Sequence, residues 1–149
     1  MRRFSRIFAW TTLFFVAGAV LFFTKAAALP YKVAWPVLLL SLATFLSRRR
    51  ELLPFGFAFL FSAAGDAVGA RGLFIPQMAF FALAHVAYVC WFLPRARRRL
   101  RAVSLAVTVP LLVFLFAAIV PEAPFPAERI GVAVYGLVIA AMLYSALQY

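Results

Sequence analysis

Few residues in this sequence can carry polar chemistry. Among its 149 residues there are only four acids, one histidine and one cysteine. The single cysteine, Cys90, excludes a disulfide within the chain. A zinc site needs three or four ligands, and the candidates are Asp66, His85 and Cys90, of which the last two point about 140° apart on a helix. We therefore expect neither a metal nor another cofactor. The absence of a GxSxG motif argues against a Ser-His-Asp hydrolase.

Apolar and basic residues make up much of the rest. The chain is 67% hydrophobic, its mean hydropathy is +1.03 and its formal net charge is +11. A basic chain of this kind can bind nucleic acid, but here the arginines stand in short clusters between long apolar runs. This arrangement is typical of a multi-pass membrane protein. We therefore expect membrane lipids, and no nucleic acid, as partners.

The apolar runs predict an all-α, polytopic bundle that forms one integral-membrane domain over residues 1–149. A helix needs roughly 20 residues to cross about 30 Å of hydrocarbon. The second run is short, so we expect Lys32 and Arg48 to snorkel, or the helix to begin near Tyr31. Pro36 and Pro110 are expected to kink their helices. The six predicted spans lie near residues 7–24, 31–47, 52–70, 73–94, 102–121 and 130–149.

The distribution of basic residues predicts a cytoplasmic N-terminus. With that orientation, eleven basic residues lie on the inner side and four on the outer side, as the positive-inside rule requires. The run "RARRRLR" at residues 95–101 is expected to contact anionic lipid headgroups. The composition suits a bacterial inner, or plasma, membrane. The inner set is Arg2, Arg3, Arg6, Arg48, Arg49, Arg50, Arg95, Arg97, Arg98, Arg99 and Arg101, and the outer set is Lys25, Lys32, Arg71 and Arg129.

One aspartate interrupts the third apolar run. An Asp at the centre of a membrane helix costs about 2.5–3.5 kcal/mol on insertion scales. We therefore expect Asp66 to have a structural or functional role. One interpretation is that it pairs with Arg71 or caps a bent helix. The other is that Asp66 faces a cavity, because Ser62, Asp66 and Gly69 share one helix face. A carboxyl group held protonated in an apolar site can act as a proton donor near neutral pH.

The only histidine lies near the middle of the fourth span. His85 and Tyr88 are one turn apart and can share a face. A structural interpretation, in which the histidine bonds to a neighbouring helix, also stays open. The sequence "ARG" at 70–72 predicts a tight turn, so helices three and four should pack antiparallel. Asp66 and His85 should then approach one another at somewhat different depths.

The stretch "FLFSAAGDAVGARGLFIPQMAFFALAHVAYVCWF", residues 59–92, resembles the central signature of the lysoplasmalogenase (YhhN-like) family of multi-pass membrane proteins. That family carries Ser-x-x-Gly-Asp at the end of one helix and His-x-x-Tyr on the next. Here these motifs correspond to Ser62, Gly65 and Asp66, followed by His85 and Tyr88. The stretch "VAVYGLVIAAMLYSAL" at 132–147 is similar to a later helix of the family. The resemblance covers roughly residues 30–147.

The resemblance implies hydrolysis of the vinyl ether bond of lysoplasmalogens, which gives a fatty aldehyde and a glycerophospho-headgroup. Protonation of the β-carbon calls for an acid, a role that suits Asp66, while His85 positions water or shuttles the proton. Ser62, Tyr88 and Lys32 are expected to support catalysis or bind substrate. The family usually opens its second helix with Lys-Pro, whereas "VAW" separates Lys32 from Pro36 here. It also typically has about eight helices and a second, late acid.

A non-enzymatic role is the alternative interpretation. In that case the chain is a small transporter, a lipid-binding protein, a subunit of a larger complex or a degenerate relative, and Asp66 and His85 form a proton-coupling or structural pair. Release of aldehyde from a lysoplasmalogen distinguishes the two classes. The headgroup, the alkyl chain and the oligomeric state stay open at this point.

Overall fold

The computed structural model describes residues 2–23, 32–47 and 49–149, with the side chains of residues 9–20 and 23 in the first helix. Lys25, Tyr31 and Arg48 lie outside the described residues, as do the side chains of Arg2, Arg3 and Arg6. No strand occurs in the described part, which confirms the all-α prediction. Its main helices are α1 Arg2–Phe23, α2 Trp35–Leu46, α3 Leu53–Gly69, α4 Phe74–Phe92, α5 Arg101–Phe114 and α6 Pro126–Ala146.

Four helical segments are long and apolar enough to cross a membrane, so the chain is a multi-pass membrane protein. These are Arg50–Gly69, Phe74–Arg95, Arg98–Glu122 and Pro126–Ala146. Helices α1 and α2 contribute shorter apolar stretches, Ala9–Val20 and Trp35–Leu46, and their crossing stays a prediction, as does the orientation. The last helix begins at Pro126, four residues before the predicted span, because proline at a first-turn position has no N–H to satisfy.

The helices pack in the lateral order α1–α2–α3–α4–α6–α5. Helix α6 therefore separates α4 from α5, although α5 follows α4 in the chain. The backbone N–H of Arg97 donates to the carbonyl of Gln148 at 2.6 Å, and the rings of Phe92 and Tyr149 meet at 5.7 Å. These contacts hold the end of α6 beside the α4–α5 connection. We call this end of the bundle, which also carries Arg49 and Arg50, the arginine end.

Small residues form most of the helix contacts. A Cβ added at Gly56 would lie 2.8 Å from the Phe45 ring, and one at Gly65 would lie 3.0 Å from the Phe81 ring. Helices in lipid associate mainly through such close packing, because the hydrocarbon around them is as apolar as their own side chains. The exposed leucine, valine and phenylalanine side chains are correspondingly large and numerous. They form the surface available to lipid.

The two prolines that were expected to kink their helices behave differently from one another. The predicted kink at Pro36 is wrong, because Pro36 occupies the first turn of α2, where its ring replaces an N–H that has no helical partner. Pro110 does lie inside α5. The helix continues beyond it into a π-helical turn, Leu115–Ile119, in which the Leu115 side chain packs against Gly136 of α6.

A buried hydroxyl joins α2 to α3. Ser41 Oγ donates to the carbonyl of Gly56 at 2.9 Å, and Ser41 is fully buried. We expect Ser41→Ala to lower the free energy of unfolding by about 0.6–1.7 kcal/mol, the range for interhelical hydrogen bonds in membranes. Denaturation by sodium dodecyl sulfate in mixed micelles measures this loss.

The matched control for Ser41→Ala is Ser145→Ala. Ser145 is equally buried, but its hydroxyl donates to Met142 within the same helix at 2.8 Å. The control variant should therefore lose less stability than Ser41→Ala. Equal losses would show that the Ser41 bond adds nothing to the α2–α3 contact.

Candidate functional site

A tight turn connects α3 to α4, as the sequence predicts. Gly72 has φ = +74°, a conformation that glycine adopts without steric cost. Its N–H donates to the Gly69 carbonyl at 2.8 Å, and the N–H of Leu73 donates to the Val68 carbonyl at 3.2 Å. These bonds end α3 and reverse the chain at once, because they satisfy carbonyls that the helix leaves without partners. Helices α3 and α4 consequently pack antiparallel.

The register of this pair sets the relative depth of the two predicted catalytic residues. Gly65 faces the Phe81 ring, and Gly69 faces the Gln77 side chain. Asp66 is one residue beyond Gly65 in one direction, and His85 is four residues beyond Phe81 in the other. At a rise of 1.5 Å per residue, the two lie about 7.5 Å apart along the helix axes. This agrees with the expectation of neighbouring residues at different depths.

Asp66 lies one turn before the end of α3 and is half-buried. Its backbone carbonyl accepts the N–H of Ala70 at 3.0 Å and so continues the helix. Within the described part of the chain, no hydrogen bond or ion pair of the Asp66 carboxylate occurs. Ser62, also half-buried, stands one turn earlier on the same side of α3.

His85 is held by a hydrogen bond to its own helix. Its Nδ1 lies 2.6 Å from the carbonyl oxygen of Phe81. A carbonyl can only accept, so Nδ1 donates in this bond. The alternative interpretation expected a hydrogen bond to a neighbouring helix, but the bond goes to Phe81 in the same helix. The bond orients the imidazole ring and leaves Nε2 outside it.

Aromatic rings of α4 and α6 lie next to His85. Tyr88 lies 6.3 Å from it, ring centre to ring centre, with the planes nearly perpendicular, and Tyr88 in turn contacts Phe55 of α3 at 5.6 Å. The predicted proximity of His85 and Tyr88 is confirmed. Tyr135 of α6 approaches His85 more closely, at 5.6 Å.

Tyr135 is the contact that sequence reasoning did not select as a site residue. Its phenol is a polar group in the middle of an apolar helix. This was the feature of the sequence that could have indicated a site residue. Its role depends on α6 lying against α4. No periodicity within α6 reveals that neighbour, so the signal alone was insufficient.

Lys32 lies apart from these residues. It is exposed in the turn before α2, and its carbonyl accepts the N–H of Trp35 at 3.4 Å. Because α2 and α3 are antiparallel, this turn lies at the same end of the bundle as the α3–α4 turn. An apolar groove of about 320 Å³ runs between the two helices just below, lined by Ala34, Trp35, Leu38, Leu60, Ala63, Ala64 and Ala67.

The described residues contain no group of three or more His, Cys, Asp or Glu side chains placed to hold a metal ion. The chemistry available to the site is therefore that of one carboxyl group, one imidazole and two nearby phenols. Such a set can donate a proton from one side and accept a proton from the other.

Comparison with known families places these motifs in context. A family model described as the YhhN family matches residues 27–149. The chain belongs to the YhhN family. The match includes α2 to α6, and with them Ser62, Asp66, His85, Tyr88 and Tyr135, whereas α1 precedes it. No curated protein and no solved structure matches the chain. The resemblance of the chain to the YhhN-like family is thus confirmed.

Proposed function

We propose that this YhhN-family protein is a membrane-embedded hydrolase that cleaves the vinyl ether bond of lysoplasmalogens. The products are a fatty aldehyde and a glycerophospho-headgroup. The observation that carries the proposal is the placement of two groups on adjacent, antiparallel helices. One is the Asp66 carboxyl, which forms no ion pair among the described residues, and the other is an imidazole whose Nδ1 bonds to the Phe81 carbonyl. Hydrolysis of a vinyl ether requires an acid that protonates the β-carbon and a base that activates water.

Asp66 supplies the first proton. The carboxyl group transfers it to the β-carbon of the vinyl ether, which leaves an oxocarbenium-like cation stabilised by the ether oxygen. The Asp66 carboxylate that forms then faces this positive charge, as a carboxylate does in glycoside hydrolysis. This role requires a carboxyl that begins the cycle protonated, as general acids do.

His85 acts as the general base that activates the attacking water molecule. Nε2 takes a proton from the water molecule that attacks the oxocarbenium carbon, and a hemiacetal results. As the hemiacetal collapses, the imidazolium returns its proton to the departing glycerol oxygen, and the hemiacetal hydroxyl gives its proton back to Asp66. The axial offset of about 7.5 Å between the two residues leaves room for the reacting bond and a water molecule.

The surrounding residues suit a lysolipid that enters from the membrane. Its vinyl ether lies just below the headgroup, and Asp66 lies just below the end of α3. We assign Lys32 to the phosphate of the headgroup, Ser62 to the orientation of the Asp66 carboxyl group, and Tyr88 to the orientation of His85. We further propose that the protein resides in the cell membrane with a cytoplasmic N-terminus, so that the headgroup enters from the outer side.

The test uses three lysolipids with the same headgroup and chain length. One carries a vinyl ether, one an alkyl ether and one an ester at the first glycerol carbon. Purified protein in detergent should release aldehyde from the vinyl ether only, because an alkyl ether has no double bond to protonate and an ester yields a fatty acid. Heat-denatured protein corrects for spontaneous hydrolysis. Binding of all three without aldehyde release would instead favour a lipid-binding protein.

A further inference from the structure

Helices α1 and α2 touch at one end and separate at the other. Gly18 lies against Pro36 so closely that a Cβ at residue 18 would be 2.6 Å from the Pro36 Cα. Toward the arginine end a groove of about 330 Å³ opens between the two helices, lined by Trp10, Phe14, Ala43, Leu46 and Ser47. We call it the α1–α2 groove. It is open to the outside of the bundle, since Trp10 is 58% exposed and Leu46 is 63% exposed.

The walls of the α1–α2 groove suit a hydrocarbon chain. Trp10 and Phe14 form one wall, with their ring centres 6.2 Å apart. The one polar side chain, Ser47, directs its hydroxyl to the Thr44 carbonyl at 2.6 Å and accepts the N–H of Arg49 at 3.4 Å. Its hydrogen-bonding groups are therefore occupied within the protein, and the groove presents mainly carbon.

Two arginines stand next to the groove in the chain. Arg49 and Arg50 follow Ser47 almost directly, the first half-buried and the second exposed. Neither guanidinium forms an ion pair within the part of the chain that the structure describes. Arg95, by contrast, stacks on the Trp91 ring at 3.7 Å and donates to the Trp91 carbonyl at 2.8 Å. Arg49 and Arg50 are thus the guanidiniums beside this groove that are left for an anionic group.

We propose that the α1–α2 groove binds one anionic phospholipid, with an acyl chain between Trp10 and Leu46 and the phosphate at Arg49 and Arg50. The combination of an apolar groove and two arginines next to it in the chain, at the end of membrane helices, matches that ligand chemistry. The lining of the α1–α2 groove itself contains no Lys or Arg, and the two arginines follow its last lining residue, Ser47, in the chain. The α1–α2 groove is also remote from Asp66, which lies toward the opposite end of α3.

The experiment uses Trp10 as a reporter. In a Trp35→Phe/Trp91→Phe background, Trp10 is the remaining tryptophan of the three. Phosphatidylglycerol with brominated acyl chains is titrated into the full-length protein in neutral detergent, and quenching of Trp10 gives an apparent affinity. Brominated phosphatidylcholine is the uncharged comparison. Each arginine near an anionic headgroup contributes about fivefold, so we expect phosphatidylglycerol to bind roughly 25-fold more tightly.

Two double variants separate a site from diffuse surface charge. Arg49→Gln/Arg50→Gln should reduce the preference for phosphatidylglycerol to within about twofold. Arg98→Gln/Arg99→Gln removes the same charge from the same end of the bundle, away from the groove, and should keep most of the preference. Unchanged helicity by circular dichroism, and unchanged quenching by phosphatidylcholine, show that each variant is folded.

Three results would overturn the proposal. Equal losses in the two double variants would indicate surface potential alone. A phosphatidylglycerol preference reported equally by Trp35, in a Trp10→Phe/Trp91→Phe background, would place the lipid elsewhere. Displacement of the lipid by millimolar inorganic phosphate would show that the arginines recognise any free phosphate. None of these results bears on vinyl ether cleavage, because Asp66 and His85 are intact throughout.

Discussion

Asp66→Asn is expected to lower kcat for vinyl ether cleavage by about 10²–10⁴-fold, the usual contribution of a general acid. Asparagine has nearly the same shape as the protonated carboxyl group, but it has no acidic proton to give to the β-carbon. It also cannot become the anion that stabilises the oxocarbenium-like cation. Because Asp66 forms no ion pair among the described residues, the substitution should leave the packing of α3 intact. KM is therefore expected to change little.

Release of fatty aldehyde, coupled to an aldehyde dehydrogenase, measures this effect. Asp66→Glu should retain part of the activity, because it keeps the acid and displaces it by one methylene group. Glu51→Gln is the matched control, since it removes an exposed carboxylate from the other end of the segment Arg50–Gly69 and should leave kcat unchanged. If a well-folded Asp66→Asn protein cleaved the lipid as fast as the parent, the role assigned to Asp66 would be wrong.

Gly65→Val is expected to lower the free energy of unfolding by about 1–3 kcal/mol, the typical cost of overpacking. Even a Cβ at this position would lie 3.0 Å from the Phe81 ring, and valine adds two more methyl groups beside it. Helices α3 and α4 must then separate or Phe81 must move. Since the Phe81 carbonyl holds Nδ1 of His85 at 2.6 Å, activity should fall together with stability.

Titration with sodium dodecyl sulfate, followed by circular dichroism, measures this loss of stability. Ala64→Leu serves as the control because it adds three carbon atoms, as Gly65→Val does, at the neighbouring position. Ala64 lines the open α2–α3 groove, so the larger side chain has space there. Equal destabilisation by the two variants would contradict a tight α3–α4 contact at Gly65.

Local features of the site were accessible to sequence reasoning because each depends on residues close together in the chain. Gly72 ends α3 in a tight turn because few other residues adopt its backbone conformation at low cost. That turn alone makes α3 and α4 antiparallel and brings the Asp66 and His85 segments alongside each other. The helical period likewise puts Tyr88 beside His85.

Contacts between helices that are distant in the chain were not accessible in this way. Tyr135 reaches His85 only because α6 lies between α4 and α5. Pro36 was expected to kink a helix, yet it opens α2 and supports the contact with Gly18. The hydrogen bond from His85 also goes to its own helix rather than to a neighbour. The partners of Tyr135 and Pro36 lie far away in the chain, whereas the partner of His85 is only four residues away in the same helix.

The sequence by itself determined that this is a multi-pass, all-α membrane protein, and it singled out Asp66, His85 and Tyr88. Apolar length, helical period and turn chemistry are properties of a single segment, so they can be read without knowing its neighbours. Only the tertiary structure decided the lateral order of the helices, the approach of Tyr135 and the α1–α2 groove. Lipid solvates every apolar helix equally well, so hydrophobicity does not select the neighbouring helix. The neighbour depends instead on how small residues and aromatic rings pack together across each contact.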